Sequence, residues 1–220
     1  ISQLFRNKDR VEQREEQDTY PFSYGFFLNL NNFDYKMVLN PKYGMYNNQN
    51  LVQSKPTYSF GAGLIARMRL NDNFDLRLEP GLQFVERELT FKTQSNDQVR
   101  RVKSTYVDIP IMLEIHADRW YNSRPYVAGG FNYLMNLQSN STSADDNQQG
   151  IFRTTTHNFG WSAEMGIQFY FSRFKLTPGF RGTFFFNNEL VSDNASTPPY
   201  WAAAMNTVQT RAFMFVLKFE

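Results

Sequence analysis

The chain has 220 residues, a formal net charge of +2 and no cysteine. Disulfides and thiolate metal sites are therefore excluded, and acids and bases spread evenly along the chain lack the clustered basic footprint of a nucleic-acid binder. No apolar run approaches the roughly 18 residues of a spanning helix, yet Phe (22) and Tyr (12) are abundant, a combination that suits a membrane only as a β-barrel, where every second residue faces lipid.

Residues 1–20, through Arg6-Asn7-Lys8-Asp9-Arg10 and Glu12-Gln13-Arg14-Glu15-Glu16, are charged and lack aliphatic periodicity. They are expected to form a periplasmic tail ahead of a single barrel domain spanning 21–220. The first strand runs from about Phe22, with Tyr24, Phe26, Leu28 and Leu30 on one face and Ser23, Gly25, Phe27 and Asn29 on the other. Its phase slips near Asn31-Asn32, because Phe33, Tyr35 and Met37 continue on the opposite parity, and a bulge or the end of the lipid band is expected there. The second strand, about Tyr58 to Leu70, sets Phe60, Ala62, Leu64, Ala66 and Met68 against Ser59, Gly61, Gly63, Arg67 and Arg69. Asn71-Asp72-Asn73 predicts a tight turn. The third, about Phe74 to Phe91, sets Leu76, Leu78, Leu82 and Phe84 against Asp75, Arg77, Glu79 and Gln83.

A polar loop from Lys92 to Arg101 precedes a fourth strand with Val107, Ile109, Ile111, Leu113 and Ile115 opposite Tyr106, Asp108, Met112, Glu114 and His116. After a turn at Asp118 to Ser123, the fifth strand carries Val127, Phe131, Tyr133 and Met135 on one side and Ala128, Gly130 and Asn132 on the other. A polar loop, Gln138 to Gly150, leads to the sixth strand, where Phe159, Trp161, Ala163, Met165 and Ile167 oppose Gly160, Ser162, Glu164 and Gln168. Ser172-Arg173 turns into the seventh, with Phe174, Leu176, Phe180 and Phe184 opposite Lys175, Thr177, Arg181 and Thr183. A long loop from about Asn188 to Asn206 precedes the last strand, in which Phe213, Phe215, Leu217 and Phe219 oppose Ala212, Met214, Val216 and Lys218.

The expected fold is all-β: an eight-stranded antiparallel transmembrane β-barrel with periplasmic termini and its long connectors outside. Pro80, Pro110 and Pro178 fall inside strands, where proline donates nothing to a ladder, and bulges are expected to absorb them. The rival soluble reading, a lipocalin-like barrel with apolar residues inside, fails on volume: eight strands enclose too little space for all the Phe, Trp, Leu and Ile side chains.

With the apolar parity toward lipid, Arg67, Arg77, Glu79, Asp108, Glu114, Glu164 and Arg181 face inward. The expected consequence is a water-poor plug of ion pairs, each charge needing a partner to be buried at all, rather than a pore, for which eight strands are too narrow. His116 and His157 are the only candidate bases, and they lie near opposite ends of the barrel. His157 and Ser162, five residues apart and oppositely facing, make poor partners for hydrolysis, so no catalytic residue, cofactor or metal ligand is expected. Pro199, Tyr200 and Trp201, in the apolar stretch 197–204 of the last loop, form a candidate partner-docking site.

Several of these segments resemble a known family. Pro21-Phe22-Ser23-Tyr24-Gly25-Phe26-Phe27-Leu28-Asn29-Leu30-Asn31 with Phe33-Asp34-Tyr35-Lys36, Tyr106-Val107-Asp108-Ile109-Pro110-Ile111-Met112-Leu113-Glu114, Arg124-Pro125-Tyr126-Val127-Ala128-Gly129-Gly130 and the ending Leu217-Lys218-Phe219-Glu220 resemble the PorT (SprT) family of Bacteroidetes outer-membrane barrels. The Asp-Ile-Pro and Arg-Pro-Tyr elements are shared with many Bacteroidetes barrels, and the first block and the ending narrow the likeness. The resemblance implies an outer-membrane protein; because a barrel must be exported, the chain is expected to begin after a removed signal peptide or to lack a longer terminus. The resemblance further implies a non-enzymatic component or assembly factor of type IX secretion, and of gliding motility where present, whose partners are translocon proteins and outer-membrane lipid. It carries over no catalytic or cofactor residue. The alternative from the residues alone is a generic small barrel that stabilises the envelope or binds a surface ligand.

Overall fold

The computed structural model describes residues 19–40, 52–92, 97–197 and 201–220; the expected tail, apart from its last two residues, lies outside them. Ten strand segments pair antiparallel: β1 (Phe22–Leu39), β2 (Val52–Pro56), β3 (Tyr58–Arg69), β4 (Phe74–Leu78), β5 (Gly81–Phe91), β6 (Gln98–His116), β7 (Ser123–Asn136), β8 (His157–Tyr170), β9 (Lys175–Phe185) and β10 (Met205–Phe219). β2 with β3 and β4 with β5 are single staves briefly interrupted, so the ten segments make the eight expected staves. β1 pairs with β10 on one side and β3 on the other, which closes the barrel.

Short turns join the staves at the end where β1 begins and β10 ends. Asn71 Oδ1 accepts from the backbone N–H groups of Asn73 and Phe74 at 3.0 and 2.9 Å, building the first of them; side-chain capping of this kind is why Asn marks turns. Phe171 N–H donates to the Phe174 carbonyl at 2.9 Å in another. The described parts of the long connectors lie at the opposite end, which in bacterial barrels is the outer one.

The alternation read from the sequence is the alternation of burial. Phe26, Leu28, Leu30, Phe60, Leu64, Ile111, Leu113, Phe131, Met165, Phe180 and Phe213 are exposed, and their neighbours point inward. On β6 the outward apolar run from Val107 to Ile115 covers nine residues. At about 3.3 Å per residue and a tilt near 40°, that is roughly 23 Å of height, close to the ~25 Å lipid band of such barrels.

Of the two alternatives for the phase slip in the first strand, the end of the lipid band holds and the bulge does not, and the bulges expected at the prolines are also absent. The register of β1 against β10 runs unbroken from Phe26–Phe219 to Val38–Thr207, so there is no bulge at Asn31-Asn32; the shift comes only at Val38/Leu39. What changes near Asn31 is the polarity of the inward face. Phe27, Asn29, Asn31, Phe33 and Tyr35 all point inward, and above the lipid band the lumen becomes apolar while Asp34, Lys36, Glu86, Lys103 and Arg211 face out. The prolines are not absorbed by bulges either. β4 and β5 keep one register against β6 across Glu79-Pro80, Pro110 sits within a continuous ladder to β7, and opposite Pro178 the β8 ladder simply skips two residues. Their carbonyls still accept: Leu64 N–H donates to Pro80 at 2.9 Å and Glu79 N–H to Pro110 at 3.2 Å. A proline thus interrupts the ladder locally without shifting its register.

Candidate functional site: a sealed barrel interior

Inward parity on neighbouring staves brings five of the seven expected charges into direct contact. Arg181 Nε donates to Glu164 Oε2 at 2.7 Å, and its Nη2 pairs with Glu79. Lys218 Nζ bridges the same two carboxylates, at 2.6 Å to Glu79 Oε1 and 2.5 Å to Glu164 Oε1. Arg77 lies 3.6 Å from Glu79 and binds Glu114 at 2.7 Å, joining this group to a second one nearer the termini. There Glu220 collects Arg77 at 3.1 Å, Lys175 at 2.8 Å and Arg67 at 3.8 Å. Arg67 also donates to Asp75 at 3.1 Å. Asp108, the seventh, is buried beside Arg181, Asn132 and Gln83 but lies in no ion pair among the described residues.

Glycine pairs make room for aromatic rings among these charges. A Cβ on Gly63 or Gly81 would lie 2.5 or 2.7 Å from the Phe27 ring, and one on Gly166 or Gly179 would lie 2.9 or 2.6 Å from Tyr126. Tyr126, laid across that second pair, donates its hydroxyl to Glu164 Oε1 at 2.6 Å. Glu79, Glu114, Glu164 and Glu220 therefore each receive two or more donors, the condition under which a charge survives away from water.

The sequence reading put Asp75, Lys175, Lys218 and His116 on the inward parity without assigning them to the network, and did not place Glu220 or Arg87. His116, expected at a rim, is buried, with Nε2 3.4 Å from Asp75 Oδ2. Arg87 stands above the ion cluster under three rings, 4.0 Å from the Tyr35 centroid, 5.4 Å from Tyr106 and 5.8 Å from Phe33. Strict alternation along β5 was the available signal, since Arg87 shares its parity with Gln83 and Val85.

Above Arg87 the outer mouth is roofed by an apolar cluster of Tyr35, Val52, Leu89, Phe91, Phe152, Trp201, Ala202, Ala204, Met205 and Val208. Trp201, expected in an exposed docking loop, is only 5% exposed. Its ring packs 5.1 Å from Phe91 and under Arg100 at 4.9 Å, because a stretch this apolar gains more from filling the mouth than from facing water. Pro199 and Tyr200 lie outside the described residues. His157 and Ser162 are not brought together: His157 is exposed and bonds Tyr133 at 2.7 Å, whereas Ser162 is buried between Asn132 and Thr183.

The two long loops over the roof are tied by Asp146. It accepts from Asn194 N–H at 2.8 Å, from Gln148 N–H at 3.0 Å and from the Thr197 hydroxyl. Burial pushes its carboxyl up, but these hydrogen bonds, led by that of Thr197, win and hold it below the usual range. Such a group stabilises the loops above the unfolded carboxylate range and stops doing so as pH falls through its own lowered value. Limited proteolysis across an acid pH series is expected to show the loops protected down to that point. Asp146→Asn is expected to expose them already at neutral pH; equal protection of variant and parent would disprove the tie.

No curated protein matches the sequence. Among solved structures, the chain is similar to the outer membrane protein OprG from Pseudomonas aeruginosa, at 11% identity and a TM-score of 0.48, covering 89% of this chain and 93% of that one. It is also similar to Neisserial surface protein A, at 10% identity and a TM-score of 0.47, covering 90% and 98%. A family model described as outer membrane protein beta-barrel domain matches residues 4–191, and with its closed eight-stave wall and lipid-facing apolar band, the chain belongs to that outer-membrane family.

Proposed function

We propose that this barrel is a non-catalytic component or assembly factor of type IX protein secretion in a Bacteroidetes outer membrane, reached by way of a removed signal peptide. In gliding species it would serve motility as well. It works through contacts with translocon proteins made by its surfaces. The observation that carries the scaffold reading is the sealed interior, with an ion cluster filling the lumen at membrane depth and an apolar roof closing its outer mouth. A barrel filled this way offers its outer wall and loops for work, not its lumen. The secretion pathway itself rests on the resemblance of the first strand, the Asp108-Ile109-Pro110 and Arg124-Pro125-Tyr126 elements and the ending to PorT (SprT) proteins.

The test is the secretome of a deletion strain beside a complemented one. Proteins bearing the type IX C-terminal signal are expected to vanish from the medium and return on complementation. Normal secretion in the deletion strain would leave the generic envelope barrel as the better reading.

A further inference from the structure

The wall of the barrel is not continuous at its outer end. The ladder between β1 and β3 ends at Asn32–Tyr58. Beyond it, among the described residues, β1 from Phe33 to Leu39 pairs with β10 alone, and β2 with β5 alone. The cause is a bulge at Thr57. Pro56 faces Arg87 and Phe60 faces Phe84 across β5, so the β2–β3 stave holds one residue more than its partner. Thr57 and Tyr58 are consequently both exposed. A bulge bends its strand, and here it turns β2 away from β1 and opens a seam. The cavity in the seam measures about 710 Å³; Asp34, Lys36, Lys55 and Arg211 line it beside the apolar Met37, Leu39 and Val52.

The seam lies just beyond the apolar band, at the level where Leu30, Phe60 and Phe213 give way to charge. Polar headgroups of the outer leaflet stand at this height. The charge there is lopsided. On the β5–β6 wall, Arg101 and Lys103 are offset by Glu88 and Glu86. At the seam, Asp34 offsets Arg211 at 2.8 Å, and Lys36 and Lys55 make no ion pair among the described residues. Two free ammonium groups flank two strand edges whose backbone N–H and C=O groups lack ladder partners among the described residues. That combination suits a ligand bearing both anionic oxygens and hydroxyls.

We propose that the seam between β1 and β2 binds the phosphorylated amino-sugar headgroup of the outer-leaflet glycolipid, with Lys36 and Lys55 holding phosphate and the open strand edges bonding sugar hydroxyls. This assignment rests on the barrel and its membrane level, and is independent of the secretion pathway.

The test is native mass spectrometry of the full chain in detergent, with added lipid A carrying its phosphates, the same lipid A after phosphatase treatment, and inorganic phosphate as competitor. Phosphorylated lipid A is expected to bind in preference. The double variant Lys36→Glu/Lys55→Glu is expected to weaken it by at least about thirtyfold, the equivalent of losing two headgroup-level cations, while Arg101→Glu/Lys103→Glu leaves it unchanged. Heat-modifiable mobility checks that each variant folds, and Lys36→Gln/Lys55→Gln replaces the reversal if it does not. Equal binding of both lipids would mean acyl contact alone and overturn the assignment. So would displacement by equimolar inorganic phosphate, undiminished binding by the lysine variant, or capture of an extended acidic peptide by the seam in place of lipid A.

Discussion

Replacing Arg181 with methionine is expected to cost the barrel about 3–5 kcal/mol, the penalty for leaving a buried charge without its partner. Arg181 contacts both Glu79 and Glu164 with side chains that are fully shielded from solvent. Lys218 remains as a bridge to the same pair, but the other cation near them, Arg77 at 3.6 Å from Glu79, is already shared with Glu114 and Glu220, so Glu164 would keep Lys218 alone in a dry lumen. The measurement is the urea midpoint at which the heat-modifiable band is lost, and it should fall well below that of the parent. Adding Glu164→Gln to Arg181→Met is expected to recover more than half of the loss, because the second change removes the charge that the first one stranded. By contrast, Lys103→Met at the exposed Glu86 pair, 3.9 Å apart, should move the midpoint by less than ~0.5 kcal/mol, as exposed pairs do. An Arg181→Met midpoint equal to that of the parent would mean that water solvates the cluster, and the lumen would have to be redrawn as hydrated.

How much of this was legible beforehand follows from what alternation encodes. A period of two assigns every residue to a face, so the lipid band and the inward arginines and carboxylates could be read one strand at a time. It does not say at what height a residue stands once the barrel closes. Glu220 meets Lys175, Arg77 and Arg67 only because β1 closes on both β10 and β3, a register that no local pattern contains. Height also decides between the two readings of the phase slip in the first strand, in favour of the end of the lipid band. Phe33 and Tyr35 looked out of phase because an apolar residue was equated with an outward one, whereas above the membrane the inside is apolar and the outside polar. Trp201 was misplaced by the same equation, its apolar surroundings being taken for a docking surface when they fill the mouth of the barrel. The bulge at Thr57 left almost no trace, since only its effect on the pairing of β5 reveals it.

Depth is also what the second large effect turns on. Ile111 stands at the middle of the outward apolar run of β6, and Leu78 is its cross-strand neighbour on β4; both are exposed. Ile111→Arg and Leu78→Arg are each expected to lower folding into lipid vesicles by roughly 2–4 kcal/mol, the cost of a cation at the bilayer midplane. The same change at Gln209, outward on β10 but level with Lys36, should cost only ~0–1 kcal/mol, because its side chain reaches the headgroups. The contrast separates a depth effect from simple disruption of a strand, since all three positions lie on outward faces of paired segments. In detergent micelles without a bilayer of fixed thickness the difference among the three should shrink. Equal costs at Ile111 and Gln209 in vesicles would place the hydrocarbon elsewhere on the wall and move the outer seam out of the headgroup layer with it.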